Sequence, residues 1–485
     1  MNRDALMDYR GSSWFLGNIA HRCMNCGKIT DEKLEICCDP LAEKEPYQLS
    51  GFGKIISYTT TDKNNLSIFP SITVKTDEGI IERDAAWVGI KEPEIGAPAE
   101  IRVRMTRFDR RPIYNTPTRP YSEPLFDKNK VYAREDFSGD EVVINGWGTY
   151  IGFYAIPTKE IGRSDVVEKR IAHSTEDAVT ILCEAARYAV LRSGFGFKGP
   201  GTVRLGTEYR FTDSQPYANL IGKKVNTPNT FDSADVSAAC FSGFDAILDG
   251  YRAIKSGDSD WAIAAGGDIA AYLGRNDADL KNFTADGGTA YRLGKGNKKN
   301  SSAVFLKTKD GRISCRFADC IYDYDVDKLG NAFHGRRFTG EPAYFNVGNE
   351  VGKQFKEQFD LSLDDIKYAV FHDPNLSFPM ELGTTIGFNE KQLEPNRAVT
   401  PRVGNVYGGM IPFNWALEHA QPEDLIVVDK YGSGADGGIF VLKRGYADNI
   451  AAAPTVDELI NHKMLINRLQ YEEIMRMREK ILGFA

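Results

Sequence analysis

A thiolate is the most reactive nucleophile among the ordinary side chains near neutral pH, and this chain of 485 residues carries eight cysteines. Cys240 stands in DVSAACFSGFDAILDGYRAIKSG, where an apolar, strand-like run ends at Ala239-Cys240 and Ser242-Gly243 opens an amphipathic helix. A cysteine at a helix N-terminus feels the positive end of the macrodipole and unpaired backbone N–H groups, both of which favour the thiolate. Such a group is poised to attack a thioester carbonyl. Cys183, inside TILCEAARYAV, reads instead as a buried structural thiol. Two further segments supply polar partners. In VFHDPN, His372 is placed at a strand end because Pro374 bars direct entry into a helix, and in PRVGNVYGG, Asn405 lies in a glycine-flanked turn ahead of the helix PFNWALEHA. Strand ends and glycine turns are where polar side chains converge on a ligand, although His372 taken alone reads as a satisfied core histidine.

Four cysteines cluster early, at Cys23, Cys26, Cys37 and Cys38, while the others are scattered. Cys23-Met24-Asn25-Cys26-Gly27 has the form of a zinc knuckle, two thiolates on a turn that the glycine permits. The usual second half is another C-x2-C; here the cysteines are adjacent, and adjacent residues seldom both reach one ion. The layout suits a structural zinc site and free thiols in a reducing compartment better than a disulfide framework.

The elements that must position these groups fall into distinct stretches. Residues 1–48 form a zinc-ribbon-like segment. GFGKIISYTTT, IFPSITVKTDEG and AEIRVRMTRF, within 49–115, alternate in polarity with Gly and Pro punctuation, as a small antiparallel barrel does. From 116 to 142 prolines and charges without a period mark a linker. Between 143 and 447 apolar strands alternate with helical stretches ended by glycine, the pattern of an α/β domain. A helical tail, 448–485, opens with the Thr-x-x-Glu box of TVDE. A formal net charge of -7 disfavours a duplex nucleic-acid binder. The barrel could still receive a single strand, but Asp77, Glu78, Glu82 and Asp84 interrupt it and few aromatics alternate along it, so no nucleic-acid partner is expected. No stretch has the apolar length to cross a bilayer and MNRDALMDYRGSSW lacks the apolar core of a secretory signal, which predicts a cytoplasmic protein with no membrane partner.

Two resemblances follow from these residues. Residues 1–115, with GFGKIISYTTT where a first barrel strand would lie, resemble the zinc-ribbon and OB-fold family that accompanies thiolases in archaea and bacteria; this implies an association with acyl-CoA enzymes and a part in holding CoA. Cys240, His372 and Asn405 together resemble the Cys-His-Asn set of ketoacyl synthases and of hydroxymethylglutaryl-CoA synthase. GWGTYIGFYAIPTKEI, AACFSG, GGDIAAYLG, VFHDPNLSFP, VGNVYGG and YGSGADGG fall in the order and spacing of the latter family across residues 143–445. The resemblance implies an α/β thiolase-like fold of two pseudo-repeated halves, Cys240 between them, a homodimer, and coenzyme A thioesters as substrates.

It also implies a base. Gly206-Thr207-Glu208-Tyr209 stands where that family carries the glutamate that deprotonates the acetyl-enzyme, and burial would raise such a carboxylate toward the working pH. A biosynthetic thiolase needs a second cysteine near its C-terminus, and none follows Cys320. The expected reaction is acyl transfer to Cys240, enolate formation by Glu208, polarisation of the acceptor carbonyl by His372 and Asn405, aldol or Claisen-type addition to a 3-ketoacyl-CoA, and hydrolysis of the enzyme thioester. The same residues could run a retro-Claisen or hydrolytic C–C cleavage, or a decarboxylative condensation. A non-enzymatic scaffold for a separate thiolase partner would have no need of all four groups.

Overall fold

A computed structural model describes residues 19–30, 37–39, 42–49, 52–59, 71–86, 93–106, 109–115 and 139–482, apart from 163, 211–214, 226, 322, 328, 335–342, 435 and 448. Most of the expected linker, 116–138, lies outside the described residues. At the N-terminal end, β1 (Ile19–Cys23) pairs antiparallel with β2 (Ile29–Thr30) and with β3 (Lys44–Gln48). A five-stranded antiparallel sheet follows, built from β4 (Phe52–Thr59), β5 (Ser71–Thr76), β6 (Ile81–Ala86), β7 (Pro98–Thr106) and β8 (Asp109–Asn115), in the order β6-β5-β4-β7-β8. Its outer strands β6 and β8 approach each other, so the sheet curls toward closure over Ile55, Ile72, Val74 and Ala99.

The larger part of the chain is an α/β assembly that begins with β9 (Glu141–Ile151), buried from its second residue onward. A small sheet joins β10 (Tyr154–Pro157) and β11 (Glu168–Ile171). In the first half of the main sheet, β12 (Gly201–Gly206) is parallel to both β13 (Phe231–Val236) and β14 (Trp261–Ile269), and β15 (Asp286–Gly296) runs antiparallel between β14 and β9. In the second half, β16 (Ala303–Phe305) and β17 (Ser314–Ala318) both pair with β22 (Asp436–Arg444), while β18 (Tyr324–Val326) and β19 (Ala332–His334) form a separate hairpin. There β20 (Ile366–Val370) is parallel to β21 (Leu425–Gly432), and β22 (Asp436–Arg444) is antiparallel to β21. The halves meet where β16 pairs with β9, Ala303 opposite Ile144. Parallel strands followed by antiparallel ones in each half give the two related units of a thiolase-like fold. Because β14 and β21 are buried along their whole length, they read as nearly continuous apolar runs.

Helix α1 (Ala178–Ser193) starts on Asp177, which accepts from the Thr180 N–H at 2.9 Å, and stops at Gly194 in the left-handed region. It is buried on nearly every side, Glu184 and Arg187 included, and β7 runs alongside it. Helix α2 (Ser242–Ser256) packs on β12 and β14. Its Phe244 stacks on Phe241 and, across the halves, on Phe440 of β22, with centroids 4.7 and 4.6 Å apart. Truncating such a residue costs about 3–5 kcal/mol, so this contact is a main tie between the halves. Helices α3 (Glu394–Val403) and α4 (Ile411–His419) bracket the Asn405 turn. In the tail, α5 (Val456–Asn461) has the Thr455–Glu458 capping box, β23 (Met464–Leu465) pairs with β10, and α6 (Arg468–Leu482) buries Arg478 against Asp286 of β15 at 3.0 Å.

Candidate active site

The chain reaches Cys240 through a sharp turn: Ala239 has φ 46°, a conformation that a residue with a side chain adopts only under constraint. The turn leaves Cys240 just before α2, and its Sγ donates to Oε1 of Glu208 at 2.8 Å. Glu208 arrives from the end of β12. Its backbone N–H donates to Oδ1 of Asp268 at 3.0 Å, and Asp268, on β14, also accepts from the Gly408 N–H at 3.5 Å in the Asn405 turn. Beneath these groups four glycines, Gly206, Gly243, Gly266 and Gly408, let four segments touch backbone to backbone. A Cβ on Gly243 would lie 2.0 Å from the Gly408 carbonyl oxygen, one on Gly266 would lie 2.6 Å from the Gly243 Cα, and one on Gly206 would lie 2.3 Å from the Ser242 carbonyl carbon.

The electrostatics correct one expectation. A helix N-terminus was expected to hold Cys240 as a thiolate, but burial and the neighbouring Glu208 carboxylate push its pKa well above the usual thiol value. The proton therefore rests on sulfur, and Glu208 is its acceptor. Burial in turn raises Glu208 to about 7, against the hydrogen bonds from Cys240 and Tyr324 and the charge of Lys430, all of which lower it. That value suits a general base at neutral pH.

His372 follows β20, and its backbone carbonyl accepts from the Tyr344 hydroxyl at 2.7 Å. The imidazole is buried, its Nδ1 has no hydrogen-bond partner among the described residues, and burial together with Lys430 holds its pKa well below the usual value. It is a neutral ring near pH 7. Asn405 is fixed by backbone bonds to Phe283 and Ala285, each 2.8 Å, and its Oδ1 accepts from the Tyr407 N–H at 2.9 Å. The Nδ2 end is then the donor this side chain has to offer. Burial raises the pKa of Tyr407, and the neighbouring Glu208 and Cys240 groups raise it further, which puts the Asn405 turn beside the nucleophile.

Three groups escaped sequence reasoning. Lys430, at the end of β21, is a buried ammonium that donates to the Gly409 carbonyl at 2.8 Å and lowers the pKa of both Cys240 and Glu208. Its signal was an Asp-Lys pair inside the otherwise apolar DLIVVDKYG. Asp268 was legible as a carboxylate closing the apolar run WAIAAGGDI. Tyr324, whose hydroxyl donates to Oε2 of Glu208, lies in the acidic segment YDYDVD and had none.

Away from this site, the Sγ atoms of Cys23, Cys26, Cys37 and Cys38 all lie within 4.8 Å of one another, the adjacent pair included. Cys23 and Cys38 are 3.7 Å apart, Cys37 and Cys38 3.9 Å, and Gly27 takes the left-handed φ of 72° that closes the knuckle. Tetrahedral zinc with Zn–S of about 2.3 Å needs sulfurs about 3.8 Å apart, so the four thiols fit that ion. The Cys26 backbone N–H and neighbouring thiols pull Cys23 down to about 6, against the cost of its own burial.

Two related α/β halves with a cysteine at the head of the helix between them define an acyltransferase of thiolase-like fold. No protein-family model matches the chain. Curated relatives do: the hydroxymethylglutaryl-CoA synthase of Methanopyrus kandleri is 31% identical over 366 residues, covering 70% of this chain and 98% of that protein, and that of Methanococcus vannielii is 32% identical over 365 residues, covering 70% and 99%. The chain belongs to the hydroxymethylglutaryl-CoA synthase family. A crystal structure of HMG-CoA synthase complexed with CoA matches with a TM-score of 0.58 at 18% identity, covering 69% of this chain and 90% of that one.

Proposed function

We propose that this chain condenses acyl-CoA thioesters as a hydroxymethylglutaryl-CoA synthase does, with Cys240 as nucleophile and Glu208 as base. The Cys240 sulfur attacks the thioester carbonyl while its proton passes to Glu208 and leaves with the CoA thiol. This restores an ionised carboxylate beside a covalent acyl-enzyme. Glu208 then takes a proton from the acyl α-carbon, and the C–H electron pair becomes the enolate. The enolate carbon adds to the ketone of a 3-ketoacyl-CoA, whose oxygen receives hydrogen bonds from neutral His372 and from the Asn405 amide; the alkoxide takes its proton from the site, the net transfer being that of the α-proton held by Glu208, so that the alcohol forms and the carboxylate is restored. Water finally hydrolyses the enzyme thioester and returns the thiol. The observation that carries this reading is the 2.8 Å contact between Cys240 and Glu208: decarboxylative condensation has no use for a carboxylate base there. Intact-protein mass spectrometry with a panel of CoA thioesters tests it. The acyl mass should appear on the native chain and not on Cys240→Ala, and an acylated alanine variant would overturn the assignment.

The N-terminal part fits the same reading as a zinc ribbon, held by Cys23, Cys26, Cys37 and Cys38, followed by an OB-fold barrel. The spacing of the four sulfurs supports zinc, which would serve as a structural tie. The course of β7 along α1 supports a module that docks on the condensing domain and helps it hold CoA esters. A cytoplasmic homodimer, with a separate thiolase as a further partner, completes the proposal. The described residues include no helix long and apolar enough to cross a membrane.

A further inference from the structure

Glu208 has two carboxylate oxygens and each meets its own donor: Oε1 takes the Cys240 thiol and Oε2 the Tyr324 hydroxyl. The first donor is consumed by the reaction. Once the sulfur is acylated it has no proton to give, so Oε1 is left with a lone pair directed at the place where the acyl group has been installed. The second donor persists. Burial and the Glu208 charge hold the Tyr324 pKa well above that of an ordinary phenol, so it stays protonated through the cycle.

The segment that carries Tyr324 is tied down at several points. Asp327 closes the β18–β19 turn by accepting from the Asn331 N–H at 2.9 Å, while Arg275 donates to the carbonyls of Leu329 and Gly330 at 3.3 and 3.1 Å. Arg275 also pairs with Glu479 of α6 at 3.0 Å, and on the near side the Ile321 N–H donates to the Gly434 carbonyl at 3.0 Å. A donor on so braced a hairpin can hold a carboxylate in one orientation.

Resting on the reading of Glu208 as the base, we propose that Tyr324 is the positioning residue for enolate formation: it retains Oε2 after acylation, so that Oε1 faces the acyl α-carbon. A carboxylate without that donor would be free to turn about its terminal bond, and its neutral form would be favoured because the phenol stabilises the anion.

The test is hydrogen exchange in the acyl-enzyme. Native protein, Tyr324→Phe and Glu208→Gln are each incubated with acetyl-CoA in D2O, quenched, and the deuterium on the Cys240-bound acetyl group is read by mass spectrometry across a pH series. Tyr324→Phe should still acylate to full stoichiometry, which shows that the site is intact. Its exchange should fall about tenfold at neutral pH, and its midpoint of exchange should lie about one pH unit above that of the native acyl-enzyme, as loss of a hydrogen bond to a charged group requires. An unchanged midpoint, or acylation lost in step with exchange, overturns the role of Tyr324. Exchange that persists in Glu208→Gln overturns the base itself; exchange lost there while Tyr324→Phe behaves as native removes only the positioning residue.

Discussion

Replacing Glu208 by glutamine separates what this carboxylate does for chemistry from what it costs the fold. Burial lifts its pKa from the usual 4.5 to about 7. A carboxyl with a raised pKa keeps its proton in the native state at pH values where the unfolded chain has released it, so stability falls as pH rises between 4.5 and 7. At about 1.4 kcal/mol per pH unit, the full penalty above that window is about 3 kcal/mol. Glutamine cannot ionise and escapes it, less whatever it loses because one amide oxygen must serve two donors. Scanning calorimetry should show Glu208→Gln melting a few degrees above the native chain at about pH 8 and level with it at about pH 4.5. In the same variant the thiol loses its base but also an anionic neighbour that opposes thiolate formation, so acyl-enzyme should still accumulate, more slowly, while carbon–carbon bond formation is abolished. A gain in melting temperature that is equal at both pH values would refute the ionisation argument, and unimpaired condensation would refute the role as base.

Cys240→Ala should abolish acyl-enzyme and turnover and leave the melting temperature near native; because Cys240 is buried with a raised pKa, iodoacetamide should label exposed Cys320 before it, as peptide mapping would show. Lys430→Met removes the cation that lowers the pKa of Glu208, so the acidic limb of the pH–rate profile should move to higher pH, and an unmoved limb would mean that the ammonium does not act on the base. Removing residues 1–140 should lower thermal stability and weaken CoA-ester binding more than it slows acylation of Cys240, since it takes away β7, which runs along α1; metal analysis should find one zinc per native chain and none in Cys23→Ser. A truncated chain with native affinity and stability would detach the module from this function.

The sequence made the nucleophile legible because a strand, a small-residue turn and a helix leave a local trace, and the same holds for Asn405 between its glycines. Helix α1 was readable from EDAVTILCEAARYAVLRSG, including its terminating glycine. What could not be read was anything set by pairing between distant segments. Tyr324 reaches Glu208 only because a hairpin folds over from the second half, and Lys430 becomes a buried charge only because β21 lies between β20 and β22. The protonation state of Cys240 was misjudged for the same reason: the helix terminus is visible locally, whereas the opposing carboxylate is 32 residues away and local reasoning gives it no weight. The adjacent Cys37 and Cys38 argued against a shared ion on chain geometry, yet both sulfurs converge with Cys23 and Cys26.

The glycine crossing beneath the site bears on how such an enzyme can change. Glu208, Cys240, Asp268 and Asn405 each stand within three residues of a glycine whose backbone touches another segment, so the spacing of the reacting groups is set by bare main chain and owes little to which side chains fill the surrounding core. One added methyl at Gly243 would displace several of these groups at once. By contrast, the hairpin that delivers Tyr324 meets Glu208 through a side chain. Positions of the hairpin other than Tyr324 can therefore change without moving the main chain that spaces the reacting groups, which makes them, and not the glycines, the ones to diversify in any attempt to redirect the enzyme.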